Sequence, residues 1–167
     1  MSGRGIVIRG ATAADGDSVA AIYDHYVRGT VVTFEEAAVP GRVMGERIDA
    51  VLGAGLPWLV AVEDGRVSGY AYASVWNPRS AYRHTVECTA YLAPEATGRG
   101  LGTQLYEELF ARLRQLDVHA VVAVITVPNP ASVALHERFG LRRAGVFREV
   151  GRKFGAWIDV GYWQGTL

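Results

Sequence analysis

Residues 86–105 read V-E-C-T-A-Y-L-A-P-E-A-T-G-R-G-L-G-T-Q-L, and this stretch decides the fold of the chain. Its first part favours an extended backbone, because valine, threonine and tyrosine pack well on a pleated sheet. A proline ends the strand, and Gly98, Gly100 and Gly102 then allow a turn with positive φ that a ligand can approach closely. The leucines from Leu101 to Leu116 are spaced as one apolar stripe, which predicts a helix after the turn.

The glycine turn predicts a binding site for an anion. It opens a helix, so unpaired N–H groups lie at the positive end of the helix dipole, and Arg99 adds a cation. A P-loop is excluded because Leu101-Gly102-Thr103 stands where Lys-Ser or Lys-Thr is needed. A dinucleotide site is disfavoured because the predicted strand at 121–127 carries no acidic residue. A turn that holds another pyrophosphate and an ordinary glycine-rich turn remain as alternatives.

Length and composition limit the class of protein. A chain of 167 residues predicts a single domain, 1–167, with a substantial core. Half of the residues are hydrophobic and the formal net charge is +0, so we expect no nucleic-acid partner. The first residues hold no long apolar run, so we expect no signal peptide and no membrane partner. Cys88 is the only cysteine and no Cys/His pair has metal-ligand spacing, which predicts a cytoplasmic protein without disulfide or metal.

The order of the predicted elements is β-α-α-β-β-β-α-β-α-β-β. This order predicts an α/β (α+β) fold with a mixed, mostly antiparallel sheet flanked by helices. The strands at 86–92 and 121–127 are expected to be parallel neighbours joined by a right-handed helical crossover. Ligands bind where neighbouring strand ends diverge, so a site is expected near Tyr91 and Val127, next to the glycine turn.

Several segments carry a family resemblance. They are P-W-L-V-A at Pro57–Ala61, A-Y-R-H-T-V-E-C-T-A-Y at Ala81–Tyr91, V-A-V-I-T-V-P-N-P-A-S-V-A-L-H-E-R-F at Val122–Phe139, and K-F-G-A-W-I-D-V-G-Y-W-Q at Lys153–Gln164. With the element order, they resemble the GNAT superfamily and, within it, the phosphinothricin and methionine sulfoximine N-acetyltransferases. The resemblance covers nearly the whole chain.

The resemblance implies a fold and an activity. The fold is that of the GNAT acyl-CoA N-acyltransferases, with a splayed central strand pair, and the expected assembly is a homodimer. Acetyl-CoA is the implied co-substrate, and the acetyl group passes directly to the α-amine of a small amino acid analogue such as phosphinothricin, methionine sulfoximine or methionine sulfone. Another small amine, a peptide N-terminus, or an acyl-CoA-binding regulatory domain without turnover remain as alternatives.

The resemblance also implies a set of cofactor contacts. The backbone of Ala90, Tyr91 and Leu92 is expected to pair with the pantetheine arm. The turn residues that would cradle the pyrophosphate are Thr97, Gly98, Arg99, Gly100, Leu101, Gly102 and Thr103. Thr97 departs from the family pattern Gln/Arg-x-x-Gly-x-Gly/Ala, which has Gln or Arg at that position. Asn129 and the weaker candidate Ser132 are expected to contact CoA further along, although Asn129 is also explained as a turn residue between two prolines.

Glu87 and His136 are the predicted catalytic residues. Glu87 is an acid in an otherwise apolar strand, where burial would raise its pKa toward that of a useful general base. A strand acid paired with Arg79 or Arg83 is the alternative. The resemblance matches Glu87 to the catalytic acid of the family, acting directly or through water. It places His136 where many GNAT enzymes carry a tyrosine that protonates the thiolate and where the phosphinothricin subfamily also has histidine. His136 could act there as that acid or as a second base; a capping or packing histidine is the alternative.

Substrate binding is expected from Phe34, Arg79 and Tyr82. Arg79 lies in the loop before the central strand, where its guanidinium could hold a carboxylate or phosphinate bidentately. Phe34 and Tyr82 could form walls for a short side chain. The alternatives are a solvated loop charge for Arg79 and a core anchor for Phe34.

Overall fold

The computed structural model describes residues 5–167. Within them, a seven-stranded mixed sheet is flanked by α-helices. The strands are β1 (Val7–Gly10), β2 (Trp58–Glu63), β3 (Arg66–Val75), β4 (Thr85–Leu92), β5 (Ala120–Val127), β6 (Arg142–Lys153) and β7 (Ala156–Thr166). The helices are α1 (Gly16–Gly29), α2 (Gly41–Gly53), α3 (Leu101–Leu113) and α4 (Pro130–Arg138). The strand order is β1-β2-β3-β4-β5-β7-β6, and the predicted order of elements is confirmed.

Local sequence signals explain where these elements begin and turn. The Thr12 N–H donates to the Asp15 carboxylate at 2.9 Å, which fixes the short 3₁₀ turn that leads into α1. Pro40 stands directly before α2 in an extended conformation. Asp64 and Gly65 have φ of 50° and 77°, so the β2–β3 hairpin closes with two left-handed residues, as this dipeptide predicts.

The core lies between the sheet and the helices. The apolar stripe of α3 is buried through Leu101, Leu105, Leu109 and Leu113, as expected. The extension of that stripe to Leu116 is wrong, because α3 ends at Leu113 and the following residues form tighter i→i−3 hydrogen bonds. Leu116 is consequently exposed. No helix within residues 5–167 combines the length and the apolar character needed to cross a membrane.

The parallel pair β4 and β5 forms the centre of the sheet and then separates. Their ladder begins at Thr85 and ends with the pair Glu87–Val122. Beyond that point β4 stays paired with β3 as far as Leu92, and β5 stays paired with β7 as far as Val127. The two halves of the sheet therefore diverge after Glu87, and we call the space between them the fork.

One expectation about β5 needs correction. Its apolar sequence predicts burial on both faces, but Val124 is exposed in the middle of the strand. The helices α1 and α2 pack mainly on β2, β3 and β4. That side of β5 is therefore uncovered at Val124, beside the fork, whereas Val122 on the same face is buried.

Candidate active site

The glycine turn before α3 has the left-handed backbone that its sequence predicts. Gly98 and Gly100 have φ of 72° and 80°, a region in which a side chain would be strained. The same expectation is wrong for Gly102, whose φ is not positive, because α3 already begins at Leu101 and Gly102 lies in its first turn. Gly102 still leaves space, since a Cβ there would meet its nearest neighbour, the Leu135 side chain, at 3.6 Å.

The start of α3 presents unpaired backbone donors. The first backbone hydrogen bond of the helix joins the Gln104 N–H to the Gly100 carbonyl at 3.1 Å. The three N–H groups that precede it have no partner inside the helix. They belong to Leu101, Gly102 and Thr103. Together with the helix dipole, they form a donor set suited to a phosphate or pyrophosphate.

Two side chains of the turn are directed at groups of the protein itself. The Arg99 guanidinium forms a bidentate ion pair with Glu63, with N–O distances of 2.6 and 3.1 Å. The Thr97 hydroxyl donates to the Pro94 carbonyl at 2.8 Å. Backbone N–H groups are therefore the immediate donors for an anion, and Arg99 reaches a phosphate only by giving up or sharing Glu63.

A small cavity of about 50 Å³ lies in the fork. It brings together many of the residues expected to hold the cofactor. Among the residues that line it are Cys88, Ala90 and Tyr91 of β4, and Asn129, Ser132 and His136 at the start of α4. Leu92 follows directly at the end of β4, and its carbonyl accepts a hydrogen bond from the Tyr26 hydroxyl. The fork thus has β4 backbone on one side and the start of α4 on the other.

Asn129 has a structural role that the sequence left open. Its Oδ1 accepts a hydrogen bond from the Ser132 N–H at 3.2 Å, so the side chain caps α4. The cap uses the carbonyl oxygen of the carboxamide. The NH₂ group of the same side chain is the part that remains for a ligand in the fork.

Glu87 lies at the base of the fork as the last β4 residue paired with β5. On its other side it pairs with Ser74 of β3, so these two side chains share a face of the sheet. The ion pair considered for Arg79 or Arg83 is not formed, and within residues 5–167 the carboxylate has no hydrogen-bond partner. Burial raises the pKa of Glu87 above its ordinary value, as expected for a general base.

His136 is buried, with 5% of its surface exposed, and both ring nitrogens have partners. Nδ1 lies 2.7 Å from the Ser132 carbonyl oxygen, and Nε2 lies 2.8 Å from the Tyr106 hydroxyl. Burial lowers the pKa of the imidazole, which keeps it neutral at physiological pH. His136 therefore packs between α3 and α4 while one side of its ring lines the fork.

The predicted substrate residues lie in different places. Tyr82 contacts the edge of the Trp76 ring and lines a cavity of about 310 Å³ with Thr85 and Val122. Val122 is the β5 partner of Glu87, so this cavity lies on the face that carries the carboxylate. Tyr82 therefore lies on the same face of the sheet as the candidate base.

Phe34 and Arg79 lie further out. The Phe34 ring packs against the backbone of β6, since a Cβ added to Gly151 would fall 2.2 Å from two ring carbons. Arg79 is exposed at the start of a short 3₁₀ turn. Its backbone N–H bonds Asn77, but within residues 5–167 its guanidinium has no ion-pair partner. The structure therefore leaves the guanidinium available for a ligand.

Comparisons with known proteins agree with this geometry. A family model described as "Acetyltransferase (GNAT) family" matches residues 19–141. The chain belongs to the GNAT family. Phosphinothricin N-acetyltransferase of Alcaligenes faecalis is 44% identical over 90% of this chain and 77% of its own length. The L-methionine sulfoximine/L-methionine sulfone acetyltransferase of Pseudomonas paraeruginosa is 38% identical over 96% of this chain and 94% of its own.

A solved GNAT structure has nearly the same fold. The phosphinothricin acetyltransferase of Sinorhizobium meliloti, in complex with AcCoA, superposes with a TM-score of 0.93 and is 39% identical. The alignment covers 97% of this chain and 88% of that one. The family, the fold and the acetyltransferase class predicted from the sequence are confirmed, and acetyl-CoA is the cofactor of this GNAT fold.

Some residues of this GNAT site were not anticipated from the sequence. Tyr106 bonds the candidate catalytic histidine, although its position beside the leucine stripe of α3 predicts only a core aromatic. The sequence offered one indication of this bond, because a buried tyrosine hydroxyl usually requires a hydrogen-bond partner. Lys153 is also buried, and its Nζ donates to the Thr33 carbonyl at 2.8 Å, which fixes the loop that carries Phe34.

Proposed function

We propose that this GNAT protein transfers the acetyl group of acetyl-CoA directly to the α-amine of a small amino acid analogue. The observation that carries the proposal is the position of Glu87. It is a partly buried carboxylate without a cationic partner in the described chain, and it lies where the β4–β5 ladder ends. The names of the relatives support phosphinothricin, methionine sulfoximine and methionine sulfone as acceptors.

The residues present fit acetyl-CoA. The free donors at the start of α3 suit its pyrophosphate, and the room beside Gly102 allows a close approach. In the fork, the β4 backbone at Ala90, Tyr91 and Leu92 is assigned to pair with the pantetheine arm. The cavity that Ala90 and Tyr91 line is also lined by Asn129, which supports this assignment. When bound there, acetyl-CoA supplies the activated acyl group as a thioester.

Glu87 is assigned the role of general base. An α-amine has a pKa near ~8 and is largely protonated at neutral pH, so it must lose a proton before it can attack. A carboxylate with a raised pKa accepts that proton more readily than an ordinary glutamate. The proton passes to Glu87 directly or through one water, and no acyl-enzyme is formed.

The remaining roles follow from position. His136 lines the fork and is the residue assigned to protonate the leaving thiolate. Because its ring is neutral and both nitrogens are hydrogen-bonded, it must first take up a proton from solvent at Nε2, and it becomes neutral again when that proton passes to the sulfur. Tyr82 forms a wall of the cavity next to Glu87. Arg79 is assigned to bind the acidic group of the acceptor. It is exposed and directly precedes the 3₁₀ turn that carries Tyr82, which lines that cavity. Phe34, in the loop before α2, is assigned to form the other wall of the acceptor site.

The test is a panel assay that follows thiol release from acetyl-CoA. The acceptors are phosphinothricin, methionine sulfoximine, methionine sulfone, methionine, a polyamine and a short peptide. We expect turnover with the amino acid analogues and little with the polyamine or peptide. Turnover confined to the peptide or polyamine would refute the acceptor class while leaving the chemistry intact. An absence of turnover with every acceptor, although acetyl-CoA binds, would favour a regulatory acyl-CoA-binding domain.

A further inference from the structure

The His136 side chain is fixed by two hydrogen bonds of different character. The Ser132 carbonyl oxygen, 2.7 Å from Nδ1, can only accept, so Nδ1 must carry a proton. The Ser132 hydroxyl lies 3.4 Å from the same nitrogen. Since the buried ring is neutral, Nε2 carries a lone pair, and the Tyr106 hydroxyl 2.8 Å away must be the donor to it.

Tyr106 is itself held rigidly. None of its surface is exposed, and its ring meets the His136 ring edge-on at 5.2 Å and the Phe139 ring at 5.5 Å. It lies on α3, whereas His136 and Ser132 lie on α4. The hydroxyl therefore reaches Nε2 from a separate helix with little freedom to move away.

We propose that Tyr106 is a positioning residue: its hydroxyl holds the ring of His136, whose proton the Ser132 carbonyl keeps on Nδ1, by donating a hydrogen bond to Nε2. Because Nδ1 is already protonated, His136 can gain a proton only at Nε2, and that nitrogen is occupied by the Tyr106 hydroxyl. Any proton transfer by His136 thus depends on Tyr106 releasing or exchanging this hydrogen bond. The kinetic part of the inference rests on the role proposed for His136 in acetyl transfer; the tautomer does not.

The first test is nitrogen NMR of the full chain labelled at histidine. At pH 7 we expect the His136 resonances of a neutral ring with protonated Nδ1 and hydrogen-bonded Nε2. In Tyr106→Phe, the Nε2 resonance should move toward that of an unbonded imine-type nitrogen while Nδ1 stays protonated. A charged ring, a proton on Nε2, or an unchanged Nε2 resonance in the variant would each overturn the proposal.

The second test is kinetic. Tyr106→Phe should lower kcat about tenfold and change the KM for acetyl-CoA less than about twofold, because the His136 ring loses the hydrogen bond that holds its orientation, whereas no contact with the cofactor is removed. The matched control is Glu137→Ala. It removes a different α4 hydrogen bond, from Trp163 Nε1 to Glu137 at 3.1 Å, and should leave kcat unchanged.

A double variant separates positioning from general destabilisation. If Tyr106 acts through His136, combining Tyr106→Phe with His136→Asn should lose no more activity than His136→Asn alone. Losses that simply multiply would refute the coupling, provided that melting curves show all variants folded at the assay temperature. Full activity of Glu87→Gln would refute the proposed base instead, and it would leave the NMR signature of the Tyr106–His136 pair unaffected.

Discussion

The position of Glu87 disfavours ionisation of its carboxylate and, for the same reason, suits a general base. Its carboxylate is partly buried and has no cation to pair with among residues 5–167, so ionisation is costly, and the same cost would make it a better general base. We expect Glu87→Gln to lower kcat by about 10²–10⁴-fold, the usual contribution of a general base, with little change in the KM for acetyl-CoA. Steady-state kinetics measure this. Glu107→Gln, an exposed acid on α3, should behave like the wild type.

The same substitution should make the protein more stable. A carboxyl whose pKa is raised by folding binds its proton more tightly in the native state, so its contribution to stability is lost as pH rises from the ordinary value of 4.5 through the raised pKa. Glu87→Gln removes this loss. Melting temperatures should therefore be higher for the variant at neutral pH, and the difference should shrink toward pH 4. A variant less stable than the wild type at pH 7 would contradict the burial argument.

At the scale of an element, the first turn of α3 contains Gly102, which has no side chain although the structure has room for one. Gly102→Ala adds a Cβ that meets only ordinary contacts, and alanine favours a helix over glycine by up to about 1 kcal/mol. We expect the fold to be at least as stable, while acetyl-CoA binds about tenfold more weakly because the methyl group would narrow the site proposed for its pyrophosphate. Calorimetry with acetyl-CoA and a thermal melt test both parts.

Gly53→Ala is the control for that substitution. Gly53 ends α2, and an added Cβ there has nothing within 4 Å. Gly53→Ala therefore measures how a glycine-to-alanine change in a helix alters stability at a position away from the candidate cofactor site. Equal acetyl-CoA affinity in Gly102→Ala and the wild type would mean that the cofactor stays clear of this turn.

β6 contacts the loop before α2 that carries Phe34, a residue proposed to bind the acceptor. In Gly151→Ala the new Cβ would fall 2.2 Å from the Phe34 ring, so the ring and its loop must move. We expect the KM for the amino acid acceptor to rise about three- to tenfold, since misplaced positioning residues weaken productive binding, while the KM for acetyl-CoA stays unchanged. Gly145→Ala on the same strand is the control, because its Cβ has nothing within 4 Å. Equal acceptor KM values in both variants would show that Phe34 does not limit acceptor binding.

At the scale of the whole molecule, the β6–β7 hairpin carries unusual apolar exposure. Phe147, Val150, Phe154 and Trp157 are each more than half exposed. Exposed patches of this kind mark interaction surfaces, and the resemblance suggests a homodimer, so we expect a dimer in solution by light scattering. The double substitution Phe154→Asn and Trp157→Gln should yield a monomer; asparagine suits the φ of 51° at position 154. A monomeric wild type would contradict this expectation.

The sequence predicted those parts of the molecule that depend on local patterns. The Asp64–Gly65 turn, the leucine stripe of α3 and the parallel strands around it all follow from residue spacing. The contacts of Tyr106 with His136 and of Lys153 with Thr33 could not be predicted. Each joins residues far apart in the chain, and their partners are fixed by tertiary packing, which leaves no periodic signal.

The same reasoning explains the partial success at the site. Glu87 was recognisable because a charge inside an apolar strand is unusual, whereas Asn129 was singled out only through the family resemblance, since its place between two prolines is explained by a turn. The pairing of Arg99 with Glu63 was not, because the hairpin and the glycine turn meet only in the folded sheet. The sequence therefore identified residues with reactive or ligand-binding side chains, and only the folded structure showed which of these side chains already have partners within the protein.

Cys88 makes the fork observable by simple chemistry. It is the only cysteine, it is 3% exposed, and burial raises the pKa of its thiol, so the native protein should react very slowly with thiol-specific dyes. Dyes that detect released CoA will then give almost no background from the enzyme. Because Cys88 lines the fork, its labelling rate also reports how often β4 and β5 part far enough to admit a reagent. A bound cofactor should slow that labelling, which would give an affinity measurement without any acceptor.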